Sequence, residues 1–338
     1  MTYSTGSSPK SLNAVDVNDD GKLDIIVVNY GSNNVGVLLN RGSGTFSPQT
    51  TYSTGSGPFY VAAADVNGDG KPDIIVVNSG SNNAGVLLNR GSGTFSPQTT
   101  YSTGSGSNPG CVAAADVNGD GKPDIIVANF VSNNAGVLLN RGSGTFSPQT
   151  TYSTGSGPYY VAAADVNGDG KPDIIVANSG SNNAGVLLNR GNGTFSPQTI
   201  YSTGSKPVCV AAADVNDDGK LDIIVVNYGS NNAGVLLNRG NGTFSAQTIY
   251  STGSKPGCVA AADVNGDGKS DIIVANLGSN NAGVLLNIGN GTFAAQTTYS
   301  TGSSPYYVTA ADVNGDDKPD IIVANLGSNN TGVLLNYC

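Results

Sequence analysis

The sequence predicts an all-β fold, a single seven-bladed β-propeller over residues 1–338 built of four-stranded antiparallel blades. Three observations carry this. A nine-residue block, D-x-N-x-D-G-x-x-D, recurs seven times, starting at Asp16, Asp65, Asp116, Asp165, Asp214, Asp263 and Asp312. Successive starts lie 49, 51, 49, 49, 49 and 49 residues apart, the 51 arising from two extra residues in the stretch from Gly104 to Pro109. Each period near 50 holds four short runs separated by Gly/Ser/Asn turns, and no stretch has a helical period.

The second repeat shows the elements. Strand a is expected over Tyr60–Ala64, strand b over Asp73–Asn78, strand c over Ala84–Asn89 and strand d from about Phe95 to Thr103. Strands b and c are apolar on both faces, as suits a sheet packed between two others. Strand a is mostly Ala, which fits an innermost position where seven strands crowd one axis. Strand d is polar and alternating, with Pro48, Pro97, Pro148 and Pro197, which marks it as an edge strand. Gly80-Ser81-Asn82-Asn83 and Arg90-Gly91-Ser92-Gly93 form the turns between b and c and between c and d.

The two ends predict how the ring closes. The last repeat stops after strand c, at Val333-Leu334-Leu335-Asn336. Thr2-Tyr3-Ser4-Thr5-Gly6 matches Thr51-Tyr52-Ser53-Thr54-Gly55 of strand d, so the N-terminal strand should complete the last blade in a 3+1 arrangement. An open solenoid is the alternative; it leaves that strand unpaired and calls for capping repeats that are absent from the sequence.

The repeated block has the chemistry of a Ca²⁺ loop. Oxygen side chains at positions 1, 3, 5 and 9 suit a hard cation, and Gly at position 6 permits the sharp turn. Position 7 would contribute its backbone carbonyl, leaving the Lys side chain free to point into water. The expected ligands are Asp16, Asn18, Asp20, Lys22 and Asp24; Asp65, Asn67, Asp69, Lys71 and Asp73; Asp116, Asn118, Asp120, Lys122 and Asp124. The later loops supply Asp165, Asn167, Asp169, Lys171 and Asp173; Asp214, Asn216, Asp218, Lys220 and Asp222; Asp263, Asn265, Asp267, Lys269 and Asp271; Asp312, Asn314, Asp316, Lys318 and Asp320. About seven Ca²⁺ are expected, one per blade.

A census supports that reading over plain Asx turns. The chain has 24 acidic residues, none of them Glu, and all lie inside the seven loops; Asp19, Asp217 and Asp317 are the three extras. Carboxylates crowded at about 4 Å repel by up to ~4 kcal/mol per pair at an effective dielectric near ~20. A turn with no metal has no reason to carry that repulsion seven times. In the seventh loop Asp317 replaces the turn Gly, so this site is expected to be the weakest.

The formal charge is −9, but seven divalent ions would turn it to about +5, so the acidic balance reflects empty loops and not an acidic partner. Nucleic-acid binding has little support, since the 15 basic residues are spread thinly and seven of the Lys lie in the loops. No run is long and apolar enough for a membrane span, and no signal peptide is recognisable. Loops of three carboxylates and one amide suit millimolar extracellular Ca²⁺, and an extracellular or ectodomain setting is expected. Cys111, Cys209 and Cys258 occupy one repeat position in different blades, judged too far apart to bridge; with Cys338 they are expected to be free thiols.

The block D-V-N-G-D-G-K-P-D-I-I-V-A-N, followed by G-V-L-L-N and G-x-G-T-F, resembles the FG-GAP/VCBS repeat over the whole chain. That repeat builds the seven-bladed head of integrin α chains and related bacterial, fungal and invertebrate propellers. The resemblance implies a propeller with Ca²⁺ in the loop joining strands a and b. Relatives include cell-adhesion receptors and fungal lectins that bind sugars between blades. Asn at position 3, where many relatives have Asp, implies lower affinity.

With no His, no Glu and no Asp outside the loops, the usual general bases and triads are missing, and the chain is not expected to be an enzyme. The residues that differ between repeats stand before the strand-a Val (Lys10, Phe59-Tyr60, Cys111, Tyr159-Tyr160, Cys209, Cys258, Tyr306-Tyr307) and after strand b (Tyr30, Phe130, Tyr228). These aromatics either stack on a ligand at a blade's rim or fill space between blades, and packing is the favoured reading. The expected function is a calcium-binding, lectin-like module for glycans, acting as a monomer. A protein-binding adhesion head and a purely structural spacer are the alternatives.

Overall fold

The computed structural model describes residues 1–337; Cys338 lies outside the described residues. Seven four-stranded antiparallel sheets follow one another around a ring. In blade 2, strand a is Pro58–Ala64, strand b Asp73–Asn78, strand c Asn83–Leu87 and strand d Thr99–Ser102. Strand b falls where the sequence placed it. Strand a begins two residues earlier, at the proline, with a bulge between Pro58 and Tyr60. One 3-10 turn, Tyr30–Ser32, interrupts the all-β pattern.

Strand d is shorter than expected. Phe95 bridges Asn89 in a small hairpin of its own, and the ladder to strand c begins only at Thr99. Pro97 lies between these pieces, outside the ladder, so the prolines interrupt the chain before an edge strand instead of residing in it.

The ring closes as the sequence predicted. Thr2–Ser4 pairs with Asn330–Leu334 in the register Thr2↔Gly332, Tyr3↔Thr331 and Ser4↔Asn330, completing blade 7.

Strand b explains the packing. Its side chains alternate, so Ile26 and Val28 of blade 1 pack on Val61, Ile74 and Val76 of blade 2, while Ile25 and Val27 pack on blade 7. Both faces of every strand b are therefore interior, which is why the run is apolar throughout. Burying each such side chain contributes roughly 1.5–3 kcal/mol. The Phe of each hairpin fills the junction with the preceding blade: Phe95 sits among Val17, Val35 and Val37 of blade 1.

At the axis one expectation fails. Cys209 and Cys258, on the inner strands of blades 5 and 6, have Cα atoms 5.0 Å apart and form a disulfide. Neighbouring blades are a full sheet spacing apart further out, but their innermost strands converge. Equivalent positions there meet. Cys111 stays a free, buried thiol because the same position in its neighbours is Tyr60 and Tyr160. The bridge closes a 49-residue separation, and reducing it is expected to lower the unfolding free energy by about 3 kcal/mol. Urea titrations with and without reductant check this; superimposable curves would contradict it.

Candidate metal centres and surface sites

Each a–b loop is organised by its first aspartate. Asp65 Oδ1 accepts the N–H groups of Asn67, Gly68 and Asp69 at 3.2, 2.7 and 3.2 Å, and Oδ2 that of Gly70 at 2.7 Å. Asn67 Oδ1 takes Asp69 N–H at 2.9 Å, and Asp69 Oδ1 takes Lys71 N–H at 3.0 Å. The chain is thereby wound around its own carboxylates. Burial pushes Asp16 upward, but four backbone N–H bonds outweigh it and hold this carboxyl below its usual range; Asp312 behaves alike.

The winding requires left-handed backbone at positions 4 and 6. Gly68 and Gly70 have φ of 80° and 82°. The sequence reading recognised position 6 alone. Position 4 is equally strained, and Asp19 and Asp217 stand there with φ of 63° and 61°, while Asp317 holds position 6 at 62°. Three of the seven loops thus carry an aspartate in the left-handed region. Asp16 and Asp312 each still accept four backbone N–H groups of their loops, while Asp214 accepts those of Asn216, Asp218 and Gly219.

The last aspartate of the loop is different. Asp73 is wholly buried; Oδ2 accepts Val66 N–H at 3.0 Å and Oδ1 accepts Asn89 N–H at 2.7 Å. It pins the loop to the end of strand c. Burial pushes Asp73, Asp124 and Asp173 up to about 6, assisted by the nearby carboxylates and opposed by these two N–H bonds. Asp24, Asp222, Asp271 and Asp320 shift the same way.

One residue of this machinery escaped sequence reasoning. Asn89 Nδ2 donates to Pro72 O in its own loop at 3.1 Å and to Val17 O in the preceding blade's loop at 2.9 Å. Each such Asn ties two neighbouring loops together. The signal was the L-L-N that ends every strand c, read only as a strand end.

The structure winds positions 1, 3 and 5 of every loop into one hydrogen-bonded turn and buries position 9. Among the described residues it does not draw three acidic side chains into a closed cluster. Lysine also departs from expectation: Lys22 Nζ lies 3.3 Å from Asp20 Oδ2, and the same pairing recurs in six loops instead of the ammonium turning away into water. The donor set still fits Ca²⁺. It is all oxygen, each carboxylate keeps lone pairs unused, and the buried aspartate has only N–H partners and no cation of its own.

The variable aromatics lie on the axis and not on the blade rims. Tyr60 hydroxyl bonds Tyr160 at 2.6 Å and Tyr307 at 2.5 Å, and Tyr159 bonds Tyr306. Phe59 packs edge-on against Tyr159 and Tyr306. The space left there is about 10 Å³, too small for a ligand. Packing is the right account of these rings, and they close the channel.

Lys10 caps this plug, with Nζ 3.9 Å from the Phe59 ring centroid, 4.5 Å from Tyr30 and 5.0 Å from Tyr306. Desolvation pushes its ammonium down to about 8. An unfolded lysine keeps its proton to about 10.4, so stability should rise with pH between these values, as the folded state releases a proton first. Lys10→Met is expected to flatten that rise and to stabilise the protein by about 2 kcal/mol at pH 7, the cation–π attraction offsetting part of the desolvation. Equal pH slopes in urea unfolding would contradict this.

On the outer wall, open grooves repeat between successive strands d. One of about 550 Å³ lies between Tyr52–Gly55 and Phe95–Gln98, another of about 470 Å³ between Tyr101–Gly104 and Phe146–Gln149. A third, about 770 Å³, adds Arg190 and Asn183.

The fold is shared with proteins of different activities. Virginiamycin B lyase from Staphylococcus aureus superposes with a TM-score of 0.71 at 14% identity, covering 99% of this chain and 98% of the lyase. An Agrocybe aegerita lectin that recognises non-reducing terminal N-acetylglucosamine gives 0.60 at 22% identity, covering 94% and 86%. Hydrazine synthase from Kuenenia stuttgartiensis gives 0.68 at 16%, covering 99% and 97%. Identities this low establish the fold alone. No curated protein sequence matches the chain. The FG-GAP-like repeat model matches six overlapping segments, 16–76, 65–127, 116–176, 165–225, 214–274 and 263–323, and the chain belongs to that repeat family.

Proposed function

We propose that this propeller is a calcium-stabilised extracellular binding module that engages glycans in the grooves between its outer strands. The observation that carries the reading is the recurrence of one polar groove, floored by Gln98, Gln149 or Gln198 and walled by Thr, Ser, Pro and Tyr, at successive blade junctions. Amide and hydroxyl groups beside an aromatic face match the alternating polar and apolar surface of a sugar ring. Repetition around a ring gives avidity on a dense glycan surface from modest single-site affinity. The lectin neighbour supports the same class.

Calcium would be held by positions 1, 3, 5 and 9 of each loop and the position-7 carbonyl, as in Asp65, Asn67, Asp69, Asp73 and Lys71. When bound it neutralises the crowded carboxylates and fixes the loop. The reading is non-enzymatic: a histidine-to-alanine form of the lyase neighbour is catalytically inactive, and this chain has no histidine at all.

A glycan array probed with and without EDTA tests the function. Hits on terminal sugars, reduced when calcium is removed, support it; a blank array in millimolar calcium contradicts it. A second reading, a protein-binding head, is favoured by the exposed Tyr30, Phe130 and Val131 near the axis on one face. Those residues, and not the grooves, would then be sensitive to substitution.

The seventh loop, where Asp317 replaces Gly at position 6, is expected to fill late in a calcium titration, together with the first and fifth, whose Asp19 and Asp217 hold the same left-handed backbone. Restoring glycine by Asp317→Gly should tighten the seventh site a few-fold, about 1 kcal/mol. A titration in which Asp317→Gly left that site unchanged would contradict this.

A further inference from the structure

The turn joining strands c and d changes along the ring. Blades 1, 2 and 3 place Ser43, Ser92 and Ser143 at its tip, with φ of 52°, 52° and 53°. Blades 4, 5 and 6 place Asn192, Asn241 and Asn290 there, with φ of 49°, 49° and 53°. The turn keeps the same left-handed backbone with either residue and does not itself call for asparagine. What the exchange creates is Asn-Gly-Thr, the acceptor pattern for an N-linked glycan, in three consecutive blades.

The structure presents these acceptors openly. Asn192, Asn241 and Asn290 are exposed, as are Thr194, Thr243 and Thr292. Thr194 Oγ1 donates to Asn192 Oδ1 at 3.0 Å, and Thr243 Oγ1 to Asn241 Oδ1 at 3.1 Å. Among the described residues none of the three Nδ2 groups has a hydrogen-bond partner. A further match to the pattern, Asn329-Asn330-Thr331, is built differently. Thr331 is fully buried in strand c of blade 7, and Asn329 Oδ1 accepts the N–H of Ser8 at 2.8 Å.

The same three blades hold isoleucines out in water: Ile200, Ile249 and Ile288 are 61%, 56% and 67% exposed. Blades 1–3 have Thr51, Thr100 and Thr151 in place of the first two, and Arg41, Arg90 and Arg141 in place of the third. Ile288 stands two residues before Asn290, and Ile200 lines one groove with Arg190, two residues before Asn192. A single apolar residue on a surface needs no explanation. Three in consecutive blades, each in a blade that gains an acceptor, do.

We propose that Asn192, Asn241 and Asn290 are N-glycosylated and that their glycans cover the isoleucines of blades 4–6. Transfer joins Asn Nδ2 to C1 of an oligosaccharide and breaks the C1–O bond to its lipid-pyrophosphate carrier. The amide gives up one proton and the pyrophosphate leaves with the bonding pair, so no oxidant or reductant enters. The proposal rests on the extracellular reading, because this sugar donor meets a chain on the secretory route. The grooves between blades 1 and 2 and between blades 2 and 3 stay open to a foreign glycan, since their hairpins carry Ser92 and Ser143.

The test secretes the full chain from a eukaryotic cell behind a cleavable signal sequence and counts glycans by intact mass, before and after release with a glycan amidase. Three are expected, at Asn192, Asn241 and Asn290, with Asn329 bare. Thr194→Ala, Thr243→Ala and Thr292→Ala should each remove one. Release should raise binding of an apolar dye by ~3-fold, and the combined variant Ile200→Thr, Ile249→Thr, Ile288→Arg should show no rise. Ser92→Asn, which builds the same acceptor in blade 2, should gain one further glycan. Bare Asn192, Asn241 and Asn290 overturn the proposal. If Ser92→Asn is then glycosylated, the fault lies in these sites alone; if it too is bare, the extracellular reading falls as well. Full occupancy of Asn329, or dye binding unchanged by release, also overturns the proposal.

Discussion

Chelating calcium with EDTA is expected to lower the melting temperature by ~20 °C relative to 10 mM Ca²⁺. A ligand at about 100 times its dissociation constant stabilises the folded state by about 2.7 kcal/mol per site, and seven loops multiply that term. The loops respond strongly because of how they are built. Asp65 and its equivalents spend their bonds on the loop's own backbone, and Asp73 and its equivalents are buried with only N–H partners. Without a cation, three carboxylates per loop repel, and the lysine pairs at 3.0–3.8 Å are exposed and contribute little. Calorimetric melts in EDTA, Mg²⁺ and Ca²⁺ check this; coincident curves would contradict it.

The second large effect concerns the hairpins. Phe95→Ala is expected to destabilise the ring by about 4 kcal/mol, because the substitution opens a cavity at a junction that cannot collapse between two rigid sheets. It also strips Tyr52 of its edge-on ring partner. The same substitution at Phe146 or Phe195 should behave alike, as their surroundings repeat. Denaturant unfolding of the three variants checks this, and a loss under about 1 kcal/mol would contradict it.

What the sequence made legible was whatever repeats. The 49-residue period, the loop at each turn and the apolar strand Asp73–Asn78 all follow from local pattern, and the match of Thr2–Gly6 to strand d was enough to place the ring's closure. What it hid depends on ring geometry. Cys209 and Cys258 are 49 residues apart, and only the convergence of inner strands at the axis brings them to 5.0 Å. The same convergence turns Tyr60, Tyr160 and Tyr307 from rim residues into a plug. Asn89 reads as one more polar residue after a strand, and its bond to Val17, in the neighbouring blade, has no local signature. The loops were legible as a repeated set of oxygen-bearing side chains, yet the pairing of Lys22 with Asp20 was not, because which neighbour a mobile ammonium chooses depends on the charge left uncompensated.

The measurement that bears most directly on the whole account is the calcium stoichiometry, read by anomalous diffraction from crystals grown in 10 mM CaCl₂. The account predicts one peak inside each a–b loop, seven around the ring, with the weakest in the loops that carry Asp19, Asp217 or Asp317. Loops without peaks, their lysines still paired to the fifth-position aspartates, would contradict it.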